Sequence, residues 1–255
     1  MANYLIEFRF QSKRIRTYLK SMIYDVNRKF GVGKRRHVPH ITLVGPIATN
    51  DERRLILDFA RICSKTKLMK IKGRGFGTFD TNRVIFVNIG ASERLNEFRV
   101  NLVDTLRLYC RLQPHDKRKQ KENFGYHSTL AMKLDQNEFN AIKSYIKNKP
   151  APEFTQVVMR ITLLKGGKIL REYDFLQRKL FDRREALNRH ITRRSKTLLK
   201  EFMQGRYDPN KRISSKEETI NDPSAILPIS KKKNASNTIK NPSLFKKMIS
   251  FFTRK

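Results

Sequence analysis

The pattern His-x-Thr-Leu occurs twice in this chain, as His40-Ile41-Thr42-Leu43 and His127-Ser128-Thr129-Leu130. The chain has 5 His, 15 Thr and 23 Leu in 255 residues. Chance alone predicts about 0.03 copies of such a motif, so two copies are a signal. Both lie in segments that alternate apolar and polar residues, the signature of a half-buried strand. Residues i and i+2 of a strand project to the same face. Each motif therefore sets an imidazole beside a hydroxyl. Ile41 and Leu43 anchor the first strand from behind, and Leu130 and Met132 are expected to anchor the second. A third triplet, His190-Ile191-Thr192, lies in a charged helical stretch where i and i+2 do not share a face, and it is set aside.

Two imidazoles and two hydroxyls suit transfer at a phosphodiester. A neutral histidine accepts a proton from attacking water, and a protonated one donates to the departing ribose oxygen. A free pKa near 6.5 lets both forms exist around neutrality. Threonine hydroxyls donate to the non-bridging oxygens as charge builds. His40 and His127 are the catalytic candidates, with Thr42 and Thr129 as phosphate ligands. No cluster with metal-ligand spacing stands out, so neither metal nor cofactor is expected. His37, His115 and His190 read as ordinary surface or core histidines.

The formal charge is +33, from 56 Lys+Arg against 23 Asp+Glu. Residues 181–255 hold 19 basic and 7 acidic residues, which leaves +21 on residues 1–180. The excess is not confined to a tail. A polyanion, RNA above all, is the natural partner; an organism-wide basic bias or adaptation to high salt is the alternative. The basic loops carrying Lys34, Arg35 and Arg36, and Lys117, Arg118 and Lys119, flank the two histidine strands in sequence and are candidate RNA-backbone contacts. Phe76, Phe79, Phe124 and Tyr126 are candidate base-stacking platforms, with core packing as the alternative for each. Gly73, Gly75 and Gly77 alternate along one strand, either to admit a ligand or to mark a bulge.

Strands are expected at 3–9, 39–45, 68–79, 83–89 and 126–132, and helices at 12–29, 50–64, 92–112 and 136–147. A hairpin of 154–164 with 168–178 turns at Gly166-Gly167. The order strand, helix, histidine strand, helix, strand appears twice. This predicts an α+β fold of two similar lobes, with antiparallel sheets lining a central cleft and helices outside. Residues 1–180 form the catalytic domain in this reading, 181–204 a charged helical extension, and 205–255 a basic disordered tail. A short amphipathic helix is expected at 243–253, touching an anionic membrane, RNA or a protein. No run of about 20 apolar residues is present to span a bilayer. The first residues carry no secretory pattern. Cys63 and Cys110 read as buried free thiols in a reducing compartment. A cytoplasmic monomer is expected.

The paired motifs, 87 residues apart, resemble those of the 2H phosphoesterase superfamily, in particular its 2′-5′ RNA ligase-like, RNA 2′,3′-cyclic phosphodiesterase branch. Pro39-His40-Ile41-Thr42-Leu43-Val44-Gly45-Pro46 is similar to the family's first motif. Gly77-Thr78-Phe79, with Arg83-Val84-Ile85-Phe86-Val87, resembles the segment between the motifs, and Phe124 resembles the residue leading into the second. The resemblance covers residues 1–180. It implies a two-lobed fold with both motifs in a central cleft. It also implies opening of a 2′,3′-cyclic phosphate at an RNA end, tRNA fragments included, to a 2′-phosphomonoester, with 2′-5′ ligation as the reverse. The chemistry is symmetric, so the residues leave acid and base open; the resemblance leans towards His127 as base and His40 as acid. Many relatives carry an arginine two residues after the second motif's leucine, where this chain has Met132. Phosphodiesterase action on 2′-5′ oligoadenylate or small cyclic nucleotides, and a non-catalytic RNA-binding role on the same scaffold, are the alternatives.

Overall fold

The structure, a computed structural model, describes residues 2–33, 38–117 and 124–213. The chain begins with β1 (Ala2–Arg9), α1 (Lys13–Phe30), β2 (His40–Thr49), α2 (Glu52–Lys65) and β3 (Met69–Phe79). A second round follows as β4 (Val84–Ala91), α3 (Glu93–Leu106), the short α4 (Pro114–Lys117), β5 (His127–Ala131), α5 (Gln136–Lys147) and β6 (Glu153–Val158). Then come β7 (Arg160–Lys165), β8 (Lys168–Asp174), β9 (Lys179–Phe181), α6 (Arg183–Leu187), α7 (Arg189–Met203) and a 3-10 turn at Pro209–Ile213.

The strands form two antiparallel sheets. One runs β2-β1-β7-β8-β9 and the other β5-β4-β3-β6. In each round the histidine strand pairs with the strand just before it, β2 with β1 and β5 with β4. Both histidine strands are therefore sheet edges, and they pack beside one another where the two sheets meet. This is the expected α+β repeat.

The helices form where the apolar spacing demands. α1 buries Ile15, Leu19, Met22, Ile23 and Val26 along one stripe. It starts at Ser12, whose hydroxyl accepts from the Ile15 amide, and stops at Gly31, which takes φ +66° as a left-handed helix end requires. α5 opens with a capping box between Asp135 and Glu138. The main core fills the space between one face of the five-stranded sheet (Ile6, Phe8, Ile41, Leu43, Ile161, Leu163) and α2 and α3 (Leu55, Phe59, Phe98, Leu102). A smaller core joins Val26 of α1 and Phe139, Ile142 and Ile146 of α5 to Ile85 and Ala131.

Three expectations are corrected. The strand of 154–164 is two strands. β6 completes the four-stranded sheet against β3, and after Met159 the chain enters the other sheet as β7. The hairpin at Gly166-Gly167 joins β7 to β8 only. β2 also continues past Gly45 and Pro46 to Thr49, because β1 keeps pairing with it across a register shift.

The third correction concerns the extension. It is helical as expected, but its two capped helices, α6 and α7, start only after Phe181 has closed β9, and both are tied to the five-stranded sheet. Arg160, 2% exposed, donates to Asp174 Oδ2 (2.6 Å), Glu172 Oε1 (2.9 Å), Ser195 Oγ of α7 (2.8 Å) and the Ala186 carbonyl of α6 (3.3 Å). Burial holds the Glu172 carboxyl above its ordinary range, and the Arg160 charge pulls it back. Removing one partner from such a buried ion pair costs about 3–5 kcal/mol, so the helices are integral to the body. Residues 205–213, expected as tail, also fold back. The Tyr207 hydroxyl donates to the Leu176 carbonyl, and Asn210 Oδ1 accepts from the Leu68 amide at 3.1 Å. The 243–253 segment lies outside the described residues. Among those residues no helix is long and apolar enough to cross a membrane.

Candidate active site

Both motifs show the same burial rhythm. His40, Thr42, His127 and Thr129 are half-exposed, while Ile41, Leu43, Ser128 and Leu130 are buried, as the period of a strand requires. Arg9 and Glu7 of β1 stand directly opposite His40 and Thr42, so all four side chains share one face of the five-stranded sheet.

The two imidazoles are held alike. His40 Nδ1 meets the Val38 carbonyl at 2.8 Å, and His127 Nδ1 meets the Gly125 carbonyl at 2.7 Å, in each case two residues upstream. A carbonyl oxygen only accepts, so Nδ1 carries the hydrogen in both rings. Nε2 of the neutral ring is then left with its lone pair, the form a general base needs. Around His127 the ring is fixed by aromatic edges, with Phe79 at 5.0 Å and 90° and Phe86 at 5.1 Å. Burial pushes the His127 pKa below the ordinary imidazole value, and the charges of His40 and His115 push the same way; the Gly125 hydrogen bond opposes them. His40 Nε2 lies 3.8 Å from Glu7 Oε2, too long for a hydrogen bond and an ion pair only when the ring is protonated. Glu7 in turn is 2.5 Å from Arg9 Nε.

A cleft of about 650 Å³ opens between the two sheets, lined by Thr42 and Gly45 on one side and by His127, Thr129, Phe79 and Phe124 on the other. Thr42, Thr129 and His127 thus share one cavity. His40 is not among its lining residues; it stands two residues before Thr42 on the same strand face, close enough for its charge to bear on His127.

The remaining candidates divide. Phe79 and Phe124 line the cleft. Tyr126 is 3% exposed, with its hydroxyl donating to the Leu95 carbonyl at 3.4 Å, so its ring is not open to a base; Phe76 is half-buried and packs against both cores. Gly73 and Gly77 admit rings of the protein itself. A Cβ at Gly77 would lie 2.4 Å from Cε2 of Phe86, and one at Gly73 would lie 2.6 Å from Cε1 of Phe154. Gly75, at φ +82°, takes the bulge. Lys34, Arg35, Arg36, Arg118 and Lys119 lie outside the described residues, as does the side chain of Lys117. Among the described residues no group of three or more His, Cys, Asp or Glu is placed to hold a metal ion.

Two residues that line the cleft, Arg99 and His115, and the buried Asp116 beside them escaped the sequence reading. Arg99 of α3 and Asp116 of α4 are 3% and 1% exposed and form an ion pair at 2.8 Å. Arg99 Nε donates to the Leu43 carbonyl (2.9 Å), and Asp116 Oδ2 accepts from the Gly45 amide (2.9 Å). The pair clamps the end of the first motif with charge-assisted bonds. Arg99 also lines the cleft and lies 3.5 Å from the centre of the Phe124 ring. Its position on the apolar stripe of α3, between Leu95 and Leu102, was the available signal. His115, largely exposed, lines the cleft 3.7 Å from Asp116, and no spacing pointed to it.

Residues 10–168 match the family model described as the 2′-5′ RNA ligase superfamily. The chain belongs to this superfamily, the 2H phosphoesterases. Among solved structures it is similar to E. coli LigT in its apo form, at 16% identity and a TM-score of 0.46, covering 71% of this chain and 96% of that one. TT0787 of Thermus thermophilus gives 16% identity and a TM-score of 0.47 over 68% and 97% of the two chains. Kluyveromyces marxianus Usb1 with uridine monophosphate gives 13% and 0.38 over 66% and 95%. No curated protein matches the chain in sequence. Met132, expected to anchor the second strand from behind, is instead 45% exposed and lines the cleft, because β5 has already ended at Ala131. Lys133 turns away from strand geometry with φ +60°. The guanidinium at this cleft wall comes from Arg99.

Proposed function

We propose that the chain is a metal-independent phosphodiesterase that opens 2′,3′-cyclic phosphate at RNA ends to a 2′-phosphomonoester. One observation carries the reading: two histidine strands from distant parts of the sequence present imidazoles with Nδ1 tied to a carbonyl beside hydroxyls that share one cleft. Water attacks phosphorus while His127 Nε2 takes its proton, as its lowered pKa favours. The P–O3′ bond breaks, and protonated His40 delivers its proton to the leaving 3′ oxygen. Thr42 and Thr129 donate to the non-bridging oxygens. Phe79 and Phe124 offer ring faces to the terminal base, and Arg99 places positive charge at the cleft wall. The overall charge of +33 suits RNA as the substrate.

The test is a substrate panel with the purified full chain in excess chelator. It compares RNA ending in a 2′,3′-cyclic phosphate, a cyclic mononucleotide and 2′-5′-linked oligoadenylate. Turnover of the cyclic ends to 2′-phosphate products is expected. Products ending in 3′-phosphate, or no turnover until a divalent metal is added, would refute it.

A further inference from the structure

The C-terminal helix α7 lies beyond the residues matched by the family model, yet it shares a sheet face with the first motif. A cross-strand row runs Thr42–Glu7–Thr162–Glu172 through consecutive antiparallel pairs, so these four side chains share that face. Thr162 donates to Glu172 at 2.8 Å, and Arg160, one strand position away on the same face, ties Glu172 and Asp174 to Ser195 of α7. From β2 to β8 is three strand spacings, or about 14 Å at about 4.8 Å each.

The inward side of α7 is Ile191, Thr192, Ser195, Leu198, Leu199 and Phe202, all buried or half-buried. Its outward side is an exposed stripe of Arg189, Arg193, Lys196 and Lys200, three or four residues apart. Side chains at those spacings are neighbours, and like charges there repel. The first turn contains no acid to balance the helix dipole, and Glu201 is the helix's single carboxylate. Lys200, in the last turn, meets the negative end of the dipole, but nothing in α7 offsets the cost of lining up Arg189, Arg193 and Lys196, and among the described residues no carboxylate pairs with any of the four. A polyanion would.

We infer that the outward face of α7 is a docking platform for the RNA strand that precedes the cyclic end, holding its phosphates while the terminus sits in the cleft. The inference rests on the proposed RNA-end activity, although its binding test does not. The 2′,3′-cyclic phosphate is a 3′ terminus, so the rest of the strand leads away 5′, and the strand to which α7 is tied, β8, is three strand spacings from the first motif.

The test uses the full chain with Arg193→Gln, Lys196→Gln and Lys200→Gln combined, and Lys196→Gln alone as a milder variant; all three side chains are exposed. Anisotropy of a labelled single-stranded RNA is followed against salt, and turnover of a cyclic mononucleotide is measured alongside. Losing three phosphate contacts should make the log–log salt slope shallower by about 2, and losing one by about 0.7. The mononucleotide, too short to reach α7, should be turned over at the wild-type rate. Unchanged RNA affinity and slope in the triple variant would overturn the platform. So would a variant that loses binding to anionic phospholipid vesicles but not to RNA. If the wild type turns over no cyclic substrate, the enzymatic reading fails on its own and the anisotropy still decides the platform.

Discussion

The chemistry of this site depends on which nitrogen of each imidazole is free, and the backbone decides that. Pinning Nδ1 on the carbonyl two residues upstream gives His40 and His127 the same tautomer and aims the same nitrogen outward. Their surroundings then separate them: His127 sits among Phe79 and Phe86, which lower its proton affinity, and His40 faces Glu7. Because the folded His127 pKa lies below the ordinary imidazole value, the neutral base persists to lower pH. The acidic limb of kcat/KM should therefore fall below the ordinary histidine range. The charge of His115 helps to keep it there, so His115→Asn should move that limb up in pH while leaving the alkaline limb in place. An acidic limb at or above the free-imidazole value in the wild type would contradict the assignment of His127 as base. These four motif residues were readable because period two and a repeated pattern are both local properties. Arg99, Asp116 and His115 were not, since their meeting depends on how α3 and α4 fold over β2.

The strands and helices were largely visible in the sequence, and the errors have physical causes. The run from 154 to 164 contains no glycine or proline to mark the change of sheet at Met159. The boundary expected at residue 180 divides what Arg160, Asp174 and Ser195 hold together, because a partner for a buried arginine is invisible without the third dimension. The glycines of β3 are instructive as well. Gly77 has no side chain, so the Phe86 ring of the paired strand lies over it and packs beside His127. Gly77→Ala would force that ring to move, since its Cβ would sit 2.4 Å from the ring. Overpacking of this kind costs about 1–3 kcal/mol. The expected result is a lower urea midpoint together with a loss in kcat/KM, with folding retained. A variant with wild-type stability and activity would show that Phe86 does not fix the imidazole.

The fold as assembled explains why a doubled motif can act as one site. Each half of the repeat places its histidine strand at a sheet edge, and the two edges meet across a cleft. Charge complements the geometry: the +33 excess is shared between the matched region and the C-terminal part, and α7, tied to the sheet that bears the first motif, carries some of it on its outward side. The function class was legible from the repeated pattern, and the superfamily match agrees with it. Which aromatic rings line the cleft was less so, because Phe79 and Phe124 reach it while Tyr126 is buried and Phe76 packs against the cores, and that division depends on the fold. The central claim is that two imidazoles serve one phosphate as a unit. It is tested most directly by kcat/KM on a 2′,3′-cyclic mononucleotide for His40→Ala, His127→Ala and the double variant. Each single change should lower the rate by about 10²–10⁴-fold, and the double should be little worse than either, as for residues that act together. Near wild-type turnover in either single variant would contradict the account.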